Sequence, residues 1–126
     1  MRVEISIEGV SSFEARIEDT ASDTIRRFQE ALPIKGIVNR WGDEIYFFVD
    51  FKAPLEHGAR SSMRVGEIAY WPDGPALAIF FGPTPASNEE EPVAASDCNV
   101  LGRTDVSPDI LRNAVEGAGI IIAAKD

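Results

Sequence analysis

The chain has 126 residues, of which 44% are apolar and 26% are charged. These values are ordinary for a globular protein and exclude a chain that is disordered throughout, so we treat residues 1–126 as one domain. The net charge of −9 repels phosphate backbones, so we expect no nucleic-acid partner.

Targeting and redox features also narrow the class of protein. Residues 2–8 alternate charged or polar side chains with apolar ones, which is not the pattern of a secretory signal. No apolar run approaches the roughly 20 residues that span a bilayer, so we expect no membrane association. Cys98 is the single cysteine, so no intrachain disulfide can form. These features favour a cytoplasmic protein.

The N-terminal part of the sequence predicts a hairpin followed by a helix. Apolar and polar residues alternate over residues 2–8 and again over residues 13–18, which is the period of a half-buried strand. Apolar residues then recur at helical spacing, beginning after a cap at Thr20 or Ser22 and ending at Pro33.

The middle of the chain predicts three further strands. Residues 34–41 form the third, in which Gly36 indicates a bulge or a crowded position. Residues 44–49 are dense in β-forming side chains and predict the fourth. We expect residues 52–63 to be a loop and residues 65–71 to be the fifth strand.

The sixth predicted strand, residues 76–81, is almost entirely apolar, which indicates a central strand buried on both faces. A long segment follows at residues 82–97, and it contains the acidic run 89–91. We interpret this segment as a loop and the acidic run as a solvated surface. Residues 98–103 predict the seventh strand.

A short helix and a last strand complete the predicted elements. Ser107 can cap a helix over residues 107–116, with Pro108 at its first position, and residues 120–125 predict the eighth strand. Eight strands and two helices without repeated β-α-β alternation favour a barrel or a sandwich over a doubly wound parallel sheet.

Two blocks of this sequence resemble the small cyclophilin-like proteins of bacteria and archaea, a family of largely undefined function. The first is Val-Asn-Arg-Trp-Gly-Asp-Glu-Ile-Tyr-Phe at residues 38–47, and the second is residues 66–85, with Tyr-Trp-Pro-Asp-Gly-Pro and Gly-Pro-Thr-Pro. Residues 99–103, the second helix and the last strand are similar to the C-terminal run of true cyclophilins. The resemblance implies a mainly β fold, a closed eight-stranded barrel with one helix capping each end.

The resemblance to cyclophilins also supplies one catalytic candidate. Cyclophilins use an arginine to polarise the prolyl amide, and its nearest match here is Arg40. The pocket histidine of cyclophilins is replaced by Cys98, and the glutamine before Phe-Phe is replaced by Ile79 or Ala78. A phenylalanine floor for a proline ring stays possible at position 80 or 81.

We expect a binding groove built from aromatic side chains at strand ends and from polar residues beside them. The residues assigned to this groove are Trp41, Glu44, Tyr46, Trp71, Phe80, Phe81 and Thr84. The sequence has no set of ligands at metal-binding spacing and no phosphate-binding glycine loop, so we expect neither a metal nor a cofactor. We interpret Cys98 as a buried, inert thiol.

Three functions are compatible with these observations. The first is a non-catalytic module that binds a peptide or a small molecule. The second is a divergent peptidyl-prolyl cis-trans isomerase that uses Arg40, so the sequence leaves open whether the protein is an enzyme. The third is a self-associating structural protein, and the sequence favours no oligomeric state.

Overall fold

The computed structural model describes residues 1–125 and contains ten β-strands and two helices in that range. In chain order they are β1 Arg2–Ile7, β2 Phe13–Ile17, α1 Asp23–Ala31, β3 Ile34–Ile37, β4 Asn39–Arg40, β5 Glu44–Phe48, β6 Arg60–Ser62, β7 Glu67–Trp71, β8 Ala76–Phe80, β9 Val93–Arg103, α2 Pro108–Leu111 and β10 Gly119–Ala124. Neither helix is long and apolar enough to cross a membrane.

The strands form one antiparallel sheet in the order β3-β10-β1-β2-β9-β7-β8-β5-β4, with β6 paired to β9 beside this path. Over residues 1–125 no ladder of hydrogen bonds joins β3 to β4, so the sheet has two open edges. The expectation of a closed eight-stranded barrel was therefore wrong. The fold is mainly β, as expected, but it is an open ten-stranded sheet.

The sheet stays open because the predicted third strand is interrupted at Val38. The Val38 N–H donates to the carbonyl of Ala118 at 2.8 Å, and its carbonyl accepts from Gly117 N–H at 2.8 Å. These bonds hold the chain where it passes from β3, which pairs with β10, to β4, which pairs with β5. The one predicted strand therefore becomes the two edges of the sheet.

Two segments interpreted as loops contain strands. The predicted loop 52–63 includes β6, and the predicted loop 82–97 ends early because β9 begins at Val93 and runs for 11 residues. The second helix, in contrast, is shorter than the predicted range 107–116. The acidic run 89–91 is exposed, as expected.

Several local predictions are confirmed. β1 and β2 form the opening hairpin. Ser22 is the N-cap of α1, where its Oγ accepts from the Ile25 N–H at 3.1 Å. All five residues of β8 are buried, and this strand lies between β7 and β5.

The sheet has an apolar cluster on each of its two faces. Successive side chains of a strand point to opposite faces, so Leu77 and Ile79 of β8 join the large inner core. Ala78 and Phe80 join a smaller outer cluster. This outer cluster consists of Met63, Ala69, Ala78, Phe80, Ala94 and Cys98, with Tyr46, Trp71 and Val100 packed against it. It forms the floor of the site described below.

Gly36 occupies the crowded position that the sequence indicates. A Cβ atom at residue 36 would lie 2.8 Å from Cδ2 of Phe47, which is fully buried. We expect Gly36→Ala to lower the free energy of unfolding by about 1–2 kcal/mol, because the ring has to move within a packed core. Urea unfolding measures this, with Lys35→Ala, an exposed change on the same strand, as the control. Equal stability of the two variants would contradict the expectation.

Candidate binding site

A pocket opens on the outer face of the sheet and encloses a volume of about 210 Å³. It lies above the outer cluster and is bordered by the β4–β5 turn and by strands β5, β7 and β9. The residues that line it are Trp41, Glu44, Tyr46, Trp71, Ala94, Ala95 and Cys98.

One wall of the pocket is built by β5 and the turn before it. Side chains of β5 alternate, so that Ile45 and Phe47 lie in the inner core while Glu44 and Tyr46 face outward. The Trp41 N–H donates to the Glu44 carbonyl at 3.0 Å, which closes the turn. This bond sets the Trp41 side chain beside Glu44 on the outer face.

The opposite wall is the indole of Trp71 at the end of β7. Its Nε1–H donates to the hydroxyl of Ser96 on β9 at 2.6 Å. The Ser96 hydroxyl in turn donates to a carboxylate oxygen of Asp73 at 3.1 Å. This chain of hydrogen bonds fixes the indole ring, so the wall does not need a ligand to order it.

Glu44 is the one acidic residue among those that line the pocket. Its residue is 8% exposed, and of the buried side-chain oxygen and nitrogen atoms in residues 1–125 its Oε1 alone has no hydrogen-bond partner. Burial raises the pKa of this carboxyl to about 8. Glu44 is therefore mainly protonated at neutral pH, and one oxygen of its carboxyl group is buried at the pocket without a hydrogen-bond partner.

Cys98 lies at the base of the pocket and is 1% exposed. Its thiol donates to the Ser96 carbonyl at 3.4 Å. Burial, and after it the negative charges of Glu44, Asp97 and Asp73, raises the pKa of the thiol to about 12. A thiol that stays protonated at neutral pH is a poor nucleophile, which agrees with the inert thiol that the sequence indicates.

The structure brings four of the expected groove residues together in the pocket: Trp41, Glu44, Tyr46 and Trp71. Phe80 lies beneath them in the outer cluster and is fully buried. Phe81 lies elsewhere, in the inner core. Thr84 is buried in the loop after β8, where its hydroxyl donates to the Val93 carbonyl. It therefore stabilises this loop and does not line the pocket.

Arg40 points away from the pocket. In the pairing of β4 with β5 it lies opposite Ile45, which belongs to the inner core. Its guanidinium donates to the carbonyls of Gly42 at 3.0 Å and Ala114 at 2.8 Å, and it lies 5.3 Å from the centre of the Phe81 ring. These contacts tie the β4–β5 turn to the segment after α2.

Sequence reasoning missed the part of the pocket that β9 contributes. Ala94, Ala95 and Cys98 line it, but residues 94 and 95 fall in the segment interpreted as a loop. Alanine and aspartate, which occur near the start of β9, are depleted in strands, so the local composition does not indicate that a strand begins there. The available signal is alternation, because Ala94, Ser96 and Cys98 share one face of the strand.

Comparison with known proteins identifies the family of this chain. The solution structure of the hypothetical protein AF2241 from Archaeoglobus fulgidus is 36% identical, with a TM-score of 0.80, and the match covers 98% of this chain and 93% of that chain. The structure of McbB in complex with tryptophan is 12% identical, with a TM-score of 0.72, over 98% of this chain and 44% of McbB. The McbB likeness shows the fold alone.

None of the curated proteins matches this chain significantly. The sequence model of the family described as Cyclophilin-like matches residues 1–123, nearly the whole domain. This chain belongs to the Cyclophilin-like family.

Proposed function

We propose that this chain is a binding domain whose pocket between Trp41 and Trp71 takes one small, mainly apolar group. The observation that carries the proposal is a preformed aromatic pocket with one buried, unpartnered carboxyl oxygen, that of Glu44. Ligand sites commonly combine apolar walls with a few polar groups that orient the ligand. The volume of about 210 Å³ suits a small molecule or one side chain of a peptide.

The aromatic surface extends beyond the pocket. Phe48, at the end of β5, is 56% exposed. Its ring packs edge-on against Tyr46, with the ring centres 5.9 Å apart. Phe48 and Tyr46 thus continue the apolar surface of the pocket, and a contiguous apolar patch, unlike a single exposed residue, is typical of ligand-binding grooves. This surface supports a peptide that places one side chain in the pocket and its neighbours along Phe48.

The isomerase alternative has less support. Prolyl isomerisation needs a donor aimed at the imide nitrogen of a bound proline. The donors of Arg40 are directed to backbone carbonyls of Gly42, Arg112 and Ala114, on the face of the strand opposite to the pocket. We therefore rank binding ahead of catalysis, and we place this binding protein in the prokaryotic cytoplasm.

The first test is a ligand screen by nitrogen–proton correlation NMR. Both tryptophans of the chain line the pocket, so both indole N–H peaks report on it. We expect saturable shifts of these peaks and of the Ala94 and Ala95 amides for small amines, amides or short peptides. Tyr46→Ala is expected to weaken the affinity at least about tenfold, because it removes a wall of the pocket.

The control variant for this screen is Val115→Ala, which changes an exposed apolar residue outside the pocket. It should leave the affinity unchanged. A screen in which no compound or peptide shifts the indole peaks would refute the binding proposal. Prolyl isomerase activity of the wild type that disappears in Arg40→Ala would restore the alternative.

A further inference from the structure

Three aromatic side chains surround the pocket from different parts of the sheet. Trp41 comes from the β4–β5 turn, Tyr46 from β5 and Trp71 from β7, and Ser96 holds the Trp71 ring in place. The face of an aromatic ring carries negative potential and attracts cations within about 6 Å of its centre. Such a set of rings suits a positive charge that is spread over an alkylated group.

The other side chains of the pocket favour a cation, and Glu44 adds negative potential once it is ionised. Glu44 is buried, its Oε1 is unpartnered, and the residues that line the pocket include no lysine or arginine. The charges of Asp73 and Asp97 act on Cys98 at the pocket base. The net charge of −9 attracts cations to the surface as a whole. A cationic ligand therefore fits the pocket better than a neutral or an anionic one.

We propose that the pocket recognises an alkylated ammonium group, which the three rings surround and which the Glu44 carboxylate neutralises. This proposal rests on the proposed function, that the pocket binds a ligand, and it names the chemical class of that ligand. The group belongs either to a free small molecule or to a methylated lysine side chain of a peptide.

Proton release accompanies this binding. Burial keeps the pKa of Glu44 at about 8 in the empty pocket, and a bound cation favours the ionised carboxylate. The titratable groups that line the pocket with Glu44 are Tyr46 and Cys98, and the charges of Asp73 and Asp97 act on Cys98. Asp43, in the turn before Glu44, is paired with Arg40 and Arg112. The thiol pKa of about 12 keeps Cys98 neutral through this range.

The test compares choline with its neutral tert-butyl isostere, in which a carbon atom replaces the ammonium nitrogen. We expect choline to bind the wild type at least about tenfold more tightly than the isostere. Its affinity is expected to rise by at least about tenfold from about pH 6 to about pH 9, because the fraction of ionised Glu44 rises. Titration calorimetry measures both quantities.

Glu44→Gln keeps the shape of the side chain and removes its charge. At about pH 9 we expect this variant to bind choline about tenfold more weakly than the wild type does, with an affinity that no longer depends on pH between about pH 6 and about pH 9. The isostere should bind the variant and the wild type alike.

The outcomes separate the two proposals. Equal or tighter binding of the isostere overturns ammonium recognition and leaves the binding function in place. Failure of both probes, together with a negative NMR screen, overturns the binding function itself.

A second arm distinguishes the two sources of the ammonium group. A peptide that carries trimethyllysine is compared with choline in the wild type and in Phe48→Ala, which removes the exposed ring next to Tyr46. Tighter binding of the peptide that is lost in Phe48→Ala assigns the group to a protein side chain. If the peptide binds no more tightly than choline, and Phe48→Ala changes neither affinity, the group is assigned to a small molecule. Absence of binding by both probes contradicts the proposal.

Discussion

Raising the pH from about 5 to about 9 is expected to lower the free energy of unfolding by about 4 kcal/mol through Glu44 alone. The pKa of this carboxyl is about 8 in the folded chain and has the ordinary value of 4.5 when the chain unfolds. Between these two values the unfolded chain releases the proton while the folded chain keeps it. The unfolded state then binds fewer protons, so stability falls as the pH rises.

The window of this effect follows from the two pKa values. Below 4.5 the carboxyl is protonated in both states, and its contribution to stability is fully present. Above about 8 it is ionised in both states, and the loss is complete because a charge then lies in a site without a counterion.

The measurement is urea unfolding of the wild type and Glu44→Gln at a series of pH values. Glutamine does not ionise, so the stability of the variant should lack this component. We expect the variant to gain about 4 kcal/mol on the wild type between about pH 5 and about pH 9. If the free energies of unfolding of the two proteins change with pH in the same way, Glu44 is already ionised at neutral pH in the folded chain, and the expectation is wrong.

Much of the fold could be predicted because its signals are local. The alternation over residues 2–8 and 13–18 predicts the hairpin, and the apolar run 76–81 predicts the buried central strand β8. Trp41 and Trp71 could be placed at a pocket because each lies where a strand meets a turn. Because side chains alternate along β5, Glu44 and Tyr46 lie on the same outer face of the sheet as the pocket.

The remaining features depend on contacts between distant segments. Whether the sheet closes is decided at Val38, whose backbone groups bond to Gly117 and Ala118. The face of the sheet on which Arg40 lies is fixed by its pairing with Ile45 and by carbonyls after α2. Neither contact has a signal in the sequence around residues 38 or 40.

The two buried glutamates also differ through a contact that their local sequences do not predict. Glu44 and Glu67 each begin a strand, so their local sequences predict similar environments. In the structure each residue is 8% exposed. The difference is Arg60, which comes from a segment interpreted as a loop and lies within hydrogen-bond distance of Glu67. Among residues 1–125 Glu44 has no such neighbour, so one of its carboxyl oxygens stays without a hydrogen-bond partner.

Arg60→Ala is expected to lower the free energy of unfolding by about 2–3 kcal/mol at neutral pH, because it leaves a buried carboxylate without its counterion. The effect is below that of a fully buried pair, since the Arg60 side chain is 40% exposed. Its guanidinium donates to both carboxylate oxygens of Glu67, at 2.9 Å and 2.6 Å. The Arg64 N–H donates to the same carboxylate at 2.7 Å.

The pH dependence of this variant identifies the cause. Burial alone would raise the pKa of Glu67, but the bonds from Arg60 and from the Arg64 N–H outweigh it and hold that pKa below its ordinary value. The stabilisation is therefore present above the ordinary carboxyl pKa and is lost as the pH falls through the lowered one. We expect the stabilities of Arg60→Ala and the wild type to converge in acid, where Glu67 is protonated in both.

Arg64→Ala is the matched control for this measurement, because it removes an arginine charge from the same segment and keeps the backbone N–H that donates to Glu67. The Arg64 charge makes the smallest of the contributions that lower the pKa of Glu67. Its side chain is exposed, so urea unfolding at neutral pH should show a change within about 0.5 kcal/mol. An equal loss in the two variants would mean that surface charge, and not the pairing of Glu67, sets the effect. A loss confined to Arg60→Ala would show that the pairing of Glu67 with Arg60 sets the effect.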